Sequence, residues 1–119
     1  MFYSQILPKD LKYINMAIKI ANKGKDNHRH GCILVKGSNV VSRGKNSYDN
    51  GMHAEESCLN KCKPDNLDGT TLYVVRLRRN QPVGMSAPCK NCFKYIKNSG
   101  IKRVVYTTDY MGLEAYEFY

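Results

Sequence analysis

Two short motifs hold residue types that together can bind a metal ion and activate water. His53 and Glu55 stand two positions apart, and Cys89 and Cys92 form a Cys-x-x-Cys motif that Pro88 precedes. One imidazole and two thiolates are three zinc ligands, and a zinc site with three protein ligands keeps a fourth position open for water. Zinc lowers the pKa of water bound there, and a nearby carboxylate can move the proton. The spacing predicts a catalytic zinc site with Glu55 as its acid/base group.

Each motif alone has a more ordinary interpretation. A Cys-x-x-Cys motif also occurs as a redox pair or as half of a structural zinc site, and a His and a Glu two apart on a helix usually face solvent. Here both motifs occur in the order H-x-E then P-C-x-x-C, which is the signature of zinc deaminases. Their joint occurrence favours the catalytic interpretation. Glu56 lies about 100° around a helix from Glu55 and is predicted to be solvent-exposed.

With these motifs the chain resembles the cytidine/deoxycytidylate-type zinc deaminases, a superfamily that also includes tRNA adenosine deaminases and polynucleotide cytidine deaminases. The resemblance extends from about Leu11 to Tyr106 and includes segments 30–35, 43–46 and 98–106. It implies one Zn²⁺ per chain, bound by His53, Cys89 and Cys92. It also implies a three-layer α/β fold of the cytidine-deaminase type, with a mixed five-stranded sheet and helices on both faces.

The resemblance also implies substrate contacts. Asn46 matches the Asn of a Gly-x-Asn segment that contacts substrate in the family, although a turn residue after a strand is the alternative. Backbone N–H groups near Ala54 and Cys89 are expected to hold the tetrahedral intermediate. His30 is expected to line the pocket, with a solvated basic loop as the alternative. The implied reaction is hydrolytic deamination of cytosine to uracil, with Glu55 as the proton shuttle.

Hydrophobic periodicity predicts the elements that position these residues. Leu11, Ile14, Ile18 and Ala21 recur at helical spacing, and short apolar runs bounded by turn residues predict strands. The pattern predicts helices over about 10–23, 54–62 and 90–99, strands over 32–35, 40–42, 72–77 and 101–106, and a final hairpin return. Alternating strands and helices indicate a layered α/β fold, with both motifs opening helices at one end of the sheet.

Composition is consistent with one soluble domain over residues 1–119, since domains commonly have about 100–150 residues. Apolar residues make up 42% of the chain, and no apolar run approaches the length of about 20 residues that spans a bilayer. Five cysteines, two of them with metal-ligand spacing, fit a reducing compartment. We therefore expect a cytoplasmic protein without a secretory signal or membrane partner. Cys32, Cys58 and Cys62 are predicted to be core residues rather than a second zinc site.

The formal charge of +9 indicates a phosphate-bearing partner, which is either a nucleotide or a nucleic acid. Arg76, Arg78 and Arg79 are candidates for phosphate contact. The favoured interpretation is an enzyme acting on a small cytosine nucleoside or nucleotide. A deaminase of cytosine or adenine within single-stranded nucleic acid or tRNA is the alternative, and a non-catalytic zinc-bearing binding module is disfavoured because Glu55 is intact. The family resemblance also implies a homo-oligomer.

Overall fold

The computed structural model of the protein describes residues 2–23, 28–46, 54–62, 67–78, 86, 90–108 and 112–118. For residues 2, 28, 78 and 90–93 the description is limited to the backbone. Within these ranges the elements follow the order β1 (Phe2–Tyr3), α1 (Pro8–Ala21), β2 (His28–Lys36), β3 (Asn39–Lys45), α2 (Ala54–Leu59), β4 (Thr71–Arg78), α3 (Lys90–Asn98), β5 (Arg103–Thr107) and β6 (Leu113–Glu117).

The described strands form one sheet in the order β1-β6-β5-β4-β2-β3. β4 and β5 are parallel, and the other neighbouring pairs are antiparallel. The predicted mixed sheet is therefore confirmed. The two-residue strand β1, which the sequence pattern did not indicate, extends it to six strands by pairing Tyr3 with Tyr116.

Helices cover both faces of this sheet, as predicted. Along β2, Ile33 and Val35 pack in the cluster that contains α1, whereas Cys32 and Leu34 pack with residues of α2 and α3 on the opposite face. This alternation follows from the two-residue period of a strand. The result is three layers, with α1 on one side and α2 and α3 on the other. No helix of the described segments is long and apolar enough to cross a membrane.

The predicted elements are present with shifted bounds. α1 begins at Pro8, earlier than expected, because proline suits the first helical position and the Asp10 carboxylate accepts a hydrogen bond of 2.7 Å from the Leu7 N–H. α2 ends at Leu59, three residues before the predicted end. β2 and β3 are longer than expected, and the turn between them contains Gly37 at φ 64°. A glycine at position 24 predicts the end of this helix, but Gly24 lies outside the described residues.

The end of the chain forms the predicted hairpin. β6 returns antiparallel to β5 with Val105 opposite Ala115, and Thr108 N–H donates to the Gly112 carbonyl at 2.9 Å. β5 is also parallel to β4, and α3 lies between the two strands along the chain, as the crossover connection of parallel strands requires. Gly100, at φ 94°, follows α3 in the left-handed conformation that commonly ends a helix.

Candidate active site

Sheet topology brings the starts of α2 and α3 to the same edge of the sheet. β3 and β4 both run antiparallel to β2, and β5 is parallel to β4, so the carboxyl ends of β3, β4 and β5 point in one direction. α2 follows β3 and α3 follows β4 along the chain. A helix that returns across the sheet starts near the end of the strand before it, and ligand crevices of α/β proteins form at such edges.

The contacts of α2 with β3 fix its direction. A Cβ added at Gly44 would stand 2.5 Å from the Ala54 carbonyl oxygen and 2.5 Å from the Cys58 nitrogen, so the helix backbone lies directly on this glycine. Farther along the helix, the Ser42 hydroxyl donates to the Cys58 carbonyl at 2.6 Å. α2 therefore runs antiparallel to β3, with buried Ala54 beside the carboxyl end of that strand.

Glu55 lies in the first turn of α2 with only 7% of its surface exposed. Glu56, its neighbour, is exposed, as predicted from its position around the helix. Burial of a carboxylate is costly unless other groups compensate for lost hydration. A buried carboxylate at this end of the sheet is therefore a candidate catalytic group, whereas a charge that only maintains solubility would be exposed.

The predicted metal ligands adjoin these two helix starts in the sequence. His53 directly precedes Ala54, the first residue of α2, and Cys89 directly precedes Lys90, the first residue of α3; both ligands lie outside the described residues. Cys92 lies within α3, where the backbone alone is described. The positions of the three side chains thus remain a prediction. An imidazole and two thiols are a donor set that suits zinc, and helix N-termini favour the thiolate form.

Asn46 and His30 are joined by two hydrogen bonds at the end of the β2–β3 pair. The Asn46 side-chain oxygen accepts a 2.9 Å hydrogen bond from the His30 N–H, and the Asn46 N–H donates to the His30 carbonyl at 3.4 Å. Because a backbone N–H requires an acceptor, this bond identifies the oxygen end of the amide. His30 is half-buried within β2, so the alternative interpretation of a solvated basic loop is wrong. Substrate contact by either residue remains a prediction.

Ser86 is a buried residue of this edge that the sequence analysis missed. The pairing of β4 with β5 stops at Val74 and Tyr106, whereas β4 continues to Arg78 against β2. Ser86 is 5% exposed and lies just beyond the last β4–β5 pair, where its N–H donates to the Thr107 carbonyl at 2.9 Å. Nothing in the sequence pattern marks it, because a serine in a loop three positions before a cysteine is ordinary.

Cys32 and Cys58 lie in the core between the sheet and α2, whereas Cys62, also predicted to be a core residue, is half-buried and packs against that core. Cys32 and Cys58 are fully buried, and a hydrogen bond with Cys32 contributes most to lowering the pKa of the Cys58 thiol. The Cys62 thiol donates to the Cys58 carbonyl at 3.8 Å. Among the described residues, no group of three or more His, Cys, Asp or Glu side chains is arranged to hold a metal ion.

Comparison with known proteins supports the prediction, made from the two motifs, of a zinc-binding deaminase. Residues 7–108 match the family model described as the cytidine and deoxycytidylate deaminase zinc-binding region. The match covers most of the 119 residues, so this chain belongs to that family. The family is thus one of zinc-binding deaminases.

Three similar proteins illustrate the range of the family. The riboflavin biosynthesis protein RibD of Actinobacillus pleuropneumoniae is 34% identical over 99 residues, which are 80% of this chain and 25% of RibD. A probable cytosine deaminase of Schizosaccharomyces pombe is 30% identical over 112 residues, which are 87% of this chain and 62% of that protein. The crystal structure of the apo dCMP deaminase of cyanophage S-TIM5 has a TM-score of 0.60 at 23% identity and covers 87% of this chain and 86% of that one. This last likeness concerns the fold.

Proposed function

We propose that this chain is a zinc-dependent hydrolytic deaminase that converts cytosine to uracil in a nucleoside or nucleotide. The observation that carries the proposal is the burial of Glu55 in the first turn of α2, two positions after His53. Family membership supports deamination. The chain spans about a quarter of the RibD relative and 62% of the yeast relative. We therefore infer the activity from the residues and the family of this domain, and not from the activity of the full-length relatives.

His53, Cys89 and Cys92 are the residues proposed to hold one Zn²⁺. When bound, zinc supplies a Lewis acid that lowers the pKa of water. His53 is one residue from the start of α2, and Cys89 is one residue from the start of α3. Since consecutive Cα atoms are about 3.8 Å apart, the described helix starts restrict where both ligands can lie.

Glu55 is the proposed acid/base group. Its carboxylate accepts a proton from the attacking water and delivers it to the ring nitrogen. It then accepts the proton of the newly added hydroxyl and delivers it to the departing amine, so that cytosine and water become uracil and ammonia. The Asn46 amide nitrogen, the backbone N–H groups near Ala54 and Cys89, and the ring of His30 are the proposed substrate contacts. The hydrogen bond from the His30 N–H supports this role for Asn46, because it orients the amide.

Arg76 supports a substrate that carries a phosphate group. It stands opposite His30 in the pairing of β2 with β4, at the same end of the sheet as Asn46. The formal charge of +9 also attracts anions. A crystal structure of the cyanophage enzyme contains dCMP and dUMP. The substrate test is a panel of cytosine nucleosides, their monophosphates and single-stranded oligonucleotides, read by ammonia release and product mass. Conversion confined to oligonucleotides would contradict a small substrate.

Replacement of Glu55 by Gln tests the mechanism. The variant removes the proton acceptor at nearly constant size, so we expect ammonia release to fall by about 10²–10⁴-fold while zinc content stays at one per chain. The matched control is Glu56→Gln, which changes an exposed neighbour on the same helix and should keep full activity. Full activity of Glu55→Gln would remove the proposed role.

Two further expectations complete the proposal. All described strands share one sheet, which supports a single deaminase domain over residues 1–119. We also propose a homo-oligomer in solution, which light scattering coupled to size exclusion would test.

A further inference from the structure

We propose that Ser86, together with Thr107, is a positioning residue that fixes the start of the cysteine ligand segment. The inference rests on the proposed function, since it concerns zinc binding by Cys89 and Cys92. It assigns a role to a side chain that belongs to neither metal motif.

Ser86 is bound to both parallel strands where their pairing ends. Its hydroxyl lies 2.9 Å from the Val74 carbonyl, 3.2 Å from the Thr107 carbonyl and 2.8 Å from the Thr107 hydroxyl, and it accepts the Thr107 N–H at 2.9 Å. Its own N–H donates to the Thr107 carbonyl at 2.9 Å. Ser86 and Thr107 are 5% and 1% exposed. A hydroxyl has one proton and two acceptor sites, so these contacts use its full capacity.

The hydrogen bonds of Ser86 with Val74 and Thr107, which we call the clamp, lie between β4 and the cysteine ligand segment along the chain. The β4–β5 pairs end at Val74, and the chain continues along β2 through Arg78 before Ser86 restores contact with β5. Ser86 is therefore held by β4 through Val74 and by β5 through Thr107, and these contacts fix the residue from which the ligand segment continues.

The distance from Ser86 to the first ligand is limited by the chain. Cys89 is three residues beyond Ser86 and one residue before Lys90, which begins α3. A fully extended chain spans at most about 3.6 Å per residue, so Cys89 lies within about 11 Å of Ser86. A ligand held between two fixed points loses less conformational freedom when it binds a metal. Interactions outside the ligand set commonly contribute about 10–100-fold to metal affinity.

The test compares variants of Ser86 with a buried hydroxyl at the other end of β4. Ser86→Ala removes the clamp, and Ser86→Thr keeps the hydroxyl. Thr70→Val is the control, because the Thr70 hydroxyl is also fully buried and donates to the Leu67 carbonyl at 2.6 Å, but lies at the amino end of the strand. Three measurements apply to each protein: zinc affinity by competition with a chromophoric chelator, the visible spectrum of the Co²⁺-loaded form, and urea unfolding of the metal-free form.

We expect Ser86→Ala to lower zinc affinity by about tenfold and to alter the Co²⁺ spectrum. Thr70→Val should be destabilised without either change, and Ser86→Thr should regain most of the affinity. If Ser86→Ala does not fold, Thr107→Val, which is nearly isosteric, should lower zinc affinity by about threefold.

The outcomes separate this inference from the proposed function. A wild-type protein that binds no zinc would overturn both. If the wild type binds zinc and the folded Ser86→Ala and Thr107→Val variants bind it equally well, the zinc site stands and the positioning role of Ser86 fails. Equal losses of affinity in Ser86→Ala and Thr70→Val would likewise overturn the role, because they would indicate a general effect of stability.

Discussion

At the scale of single residues, the strongest network among the described side chains lies away from the candidate active site. Arg103 donates to both carboxylate oxygens of Asp10, at 2.8 and 2.7 Å, and the Tyr73 hydroxyl donates to the same carboxylate at 2.7 Å. Arg103 also donates to the Gln5 carbonyl at 2.6 Å. Asp10 and Arg103 are 0% and 5% exposed. This network ties the start of α1 to the amino ends of β4 and β5.

Removal of the charge on Asp10 should destabilise the fold. Asp10→Asn leaves the buried Arg103 guanidinium without its counter-ion, and such a change commonly costs about 3–5 kcal/mol of unfolding free energy. Urea unfolding at pH 7 measures it. The control is Asp68→Asn, which changes an exposed aspartate and should alter stability by less than about 0.5 kcal/mol. A loss below 1 kcal/mol for Asp10→Asn would contradict the structural role of this pair.

The same network predicts a dependence of stability on pH. Burial alone would raise the pKa of the Asp10 carboxyl, but hydrogen bonds from Arg103, the Leu7 N–H and Tyr73, with the charge of Arg103, lower it below its ordinary value. A lowered folded-state pKa gives stability that is present above the unfolded pKa of about 3.9 and is lost as pH falls through the folded pKa. Wild-type stability should therefore fall below about pH 4 more steeply than that of Asp10→Asn. Parallel curves would contradict this account.

The sequence revealed the residues of the candidate site unevenly. His53, Glu55, Cys89 and Cys92 could be predicted because their chemistry requires particular residue types at short spacings, and the family match supports the motif. Ser86 was missed, because its partner Thr107 is 21 positions away and a hydroxyl has no distinctive pattern. Arg103 was missed as the partner of Asp10 for the same reason, since 93 positions separate the two. Local spacing cannot show which distant polar groups become buried together.

At the scale of elements, the position of α2 depends on close contact with β3. The helix carries Glu55, and its backbone lies against Gly44, where any side chain would collide with the Ala54 carbonyl oxygen. The exposed Lys61 ammonium adds a contact of 2.8 Å to the Arg43 carbonyl beyond the end of the helix. Gly44 thus sets how closely the helix that bears the proposed acid/base group approaches the sheet.

Replacement of Gly44 by Ala should reduce the rate of deamination by more than the loss of folded protein explains. The new methyl group would stand 2.5 Å from backbone atoms of α2, so the helix must shift away from the sheet. Overpacking of this kind commonly costs about 1–3 kcal/mol. Because Glu55 moves with the helix, we expect kcat to fall by at least about tenfold at a temperature where the variant is folded. Unfolding curves and steady-state kinetics measure the two effects.

The matched control is Gly31→Ala on the opposite face. A Cβ there would stand 2.2 Å from the Ala17 carbonyl oxygen of α1, so its cost in stability should be similar, while α2 is not displaced. A loss of kcat in Gly31→Ala equal to that in Gly44→Ala would show that the effect is not specific to the position of α2.

Strong local signals explain which elements were predicted. The turn at Gly37, the start of α2 at Ala54 and the end of α3 before Gly100 all follow from short-range residue preferences. The continuation of β2 and β4 as far as His28 and Arg78 was not predicted. These strand ends are stabilised by pairing with each other, and the paired residues are about 50 positions apart in the sequence. The edge strand at Phe2 was missed because two residues carry no periodicity.

At the scale of the whole molecule, two apolar clusters on opposite faces hold the described structure together. One contains residues of α1 with Ile33, Tyr73 and Val105, and the other contains residues of α2 and α3 with Leu34 and Val104. Burial of apolar surface contributes about 25 cal/mol per Å². Because these contacts join apolar side chains of the helices and the sheet, they are a source of stability that does not depend on a metal ion.

Removal of zinc should abolish activity without unfolding the protein. Treatment with a strong chelator should leave the circular dichroism of the sheet and helices nearly unchanged, while ammonia release falls to background and returns when zinc is added. A ligand at 100 times its dissociation constant adds about 2.7 kcal/mol to stability, so the melting temperature should drop but a cooperative transition should remain. Hydrogen exchange should accelerate at the starts of α2 and α3, and not at β2 or β4. Complete unfolding on chelation would show that the metal, and not the two clusters, specifies this fold.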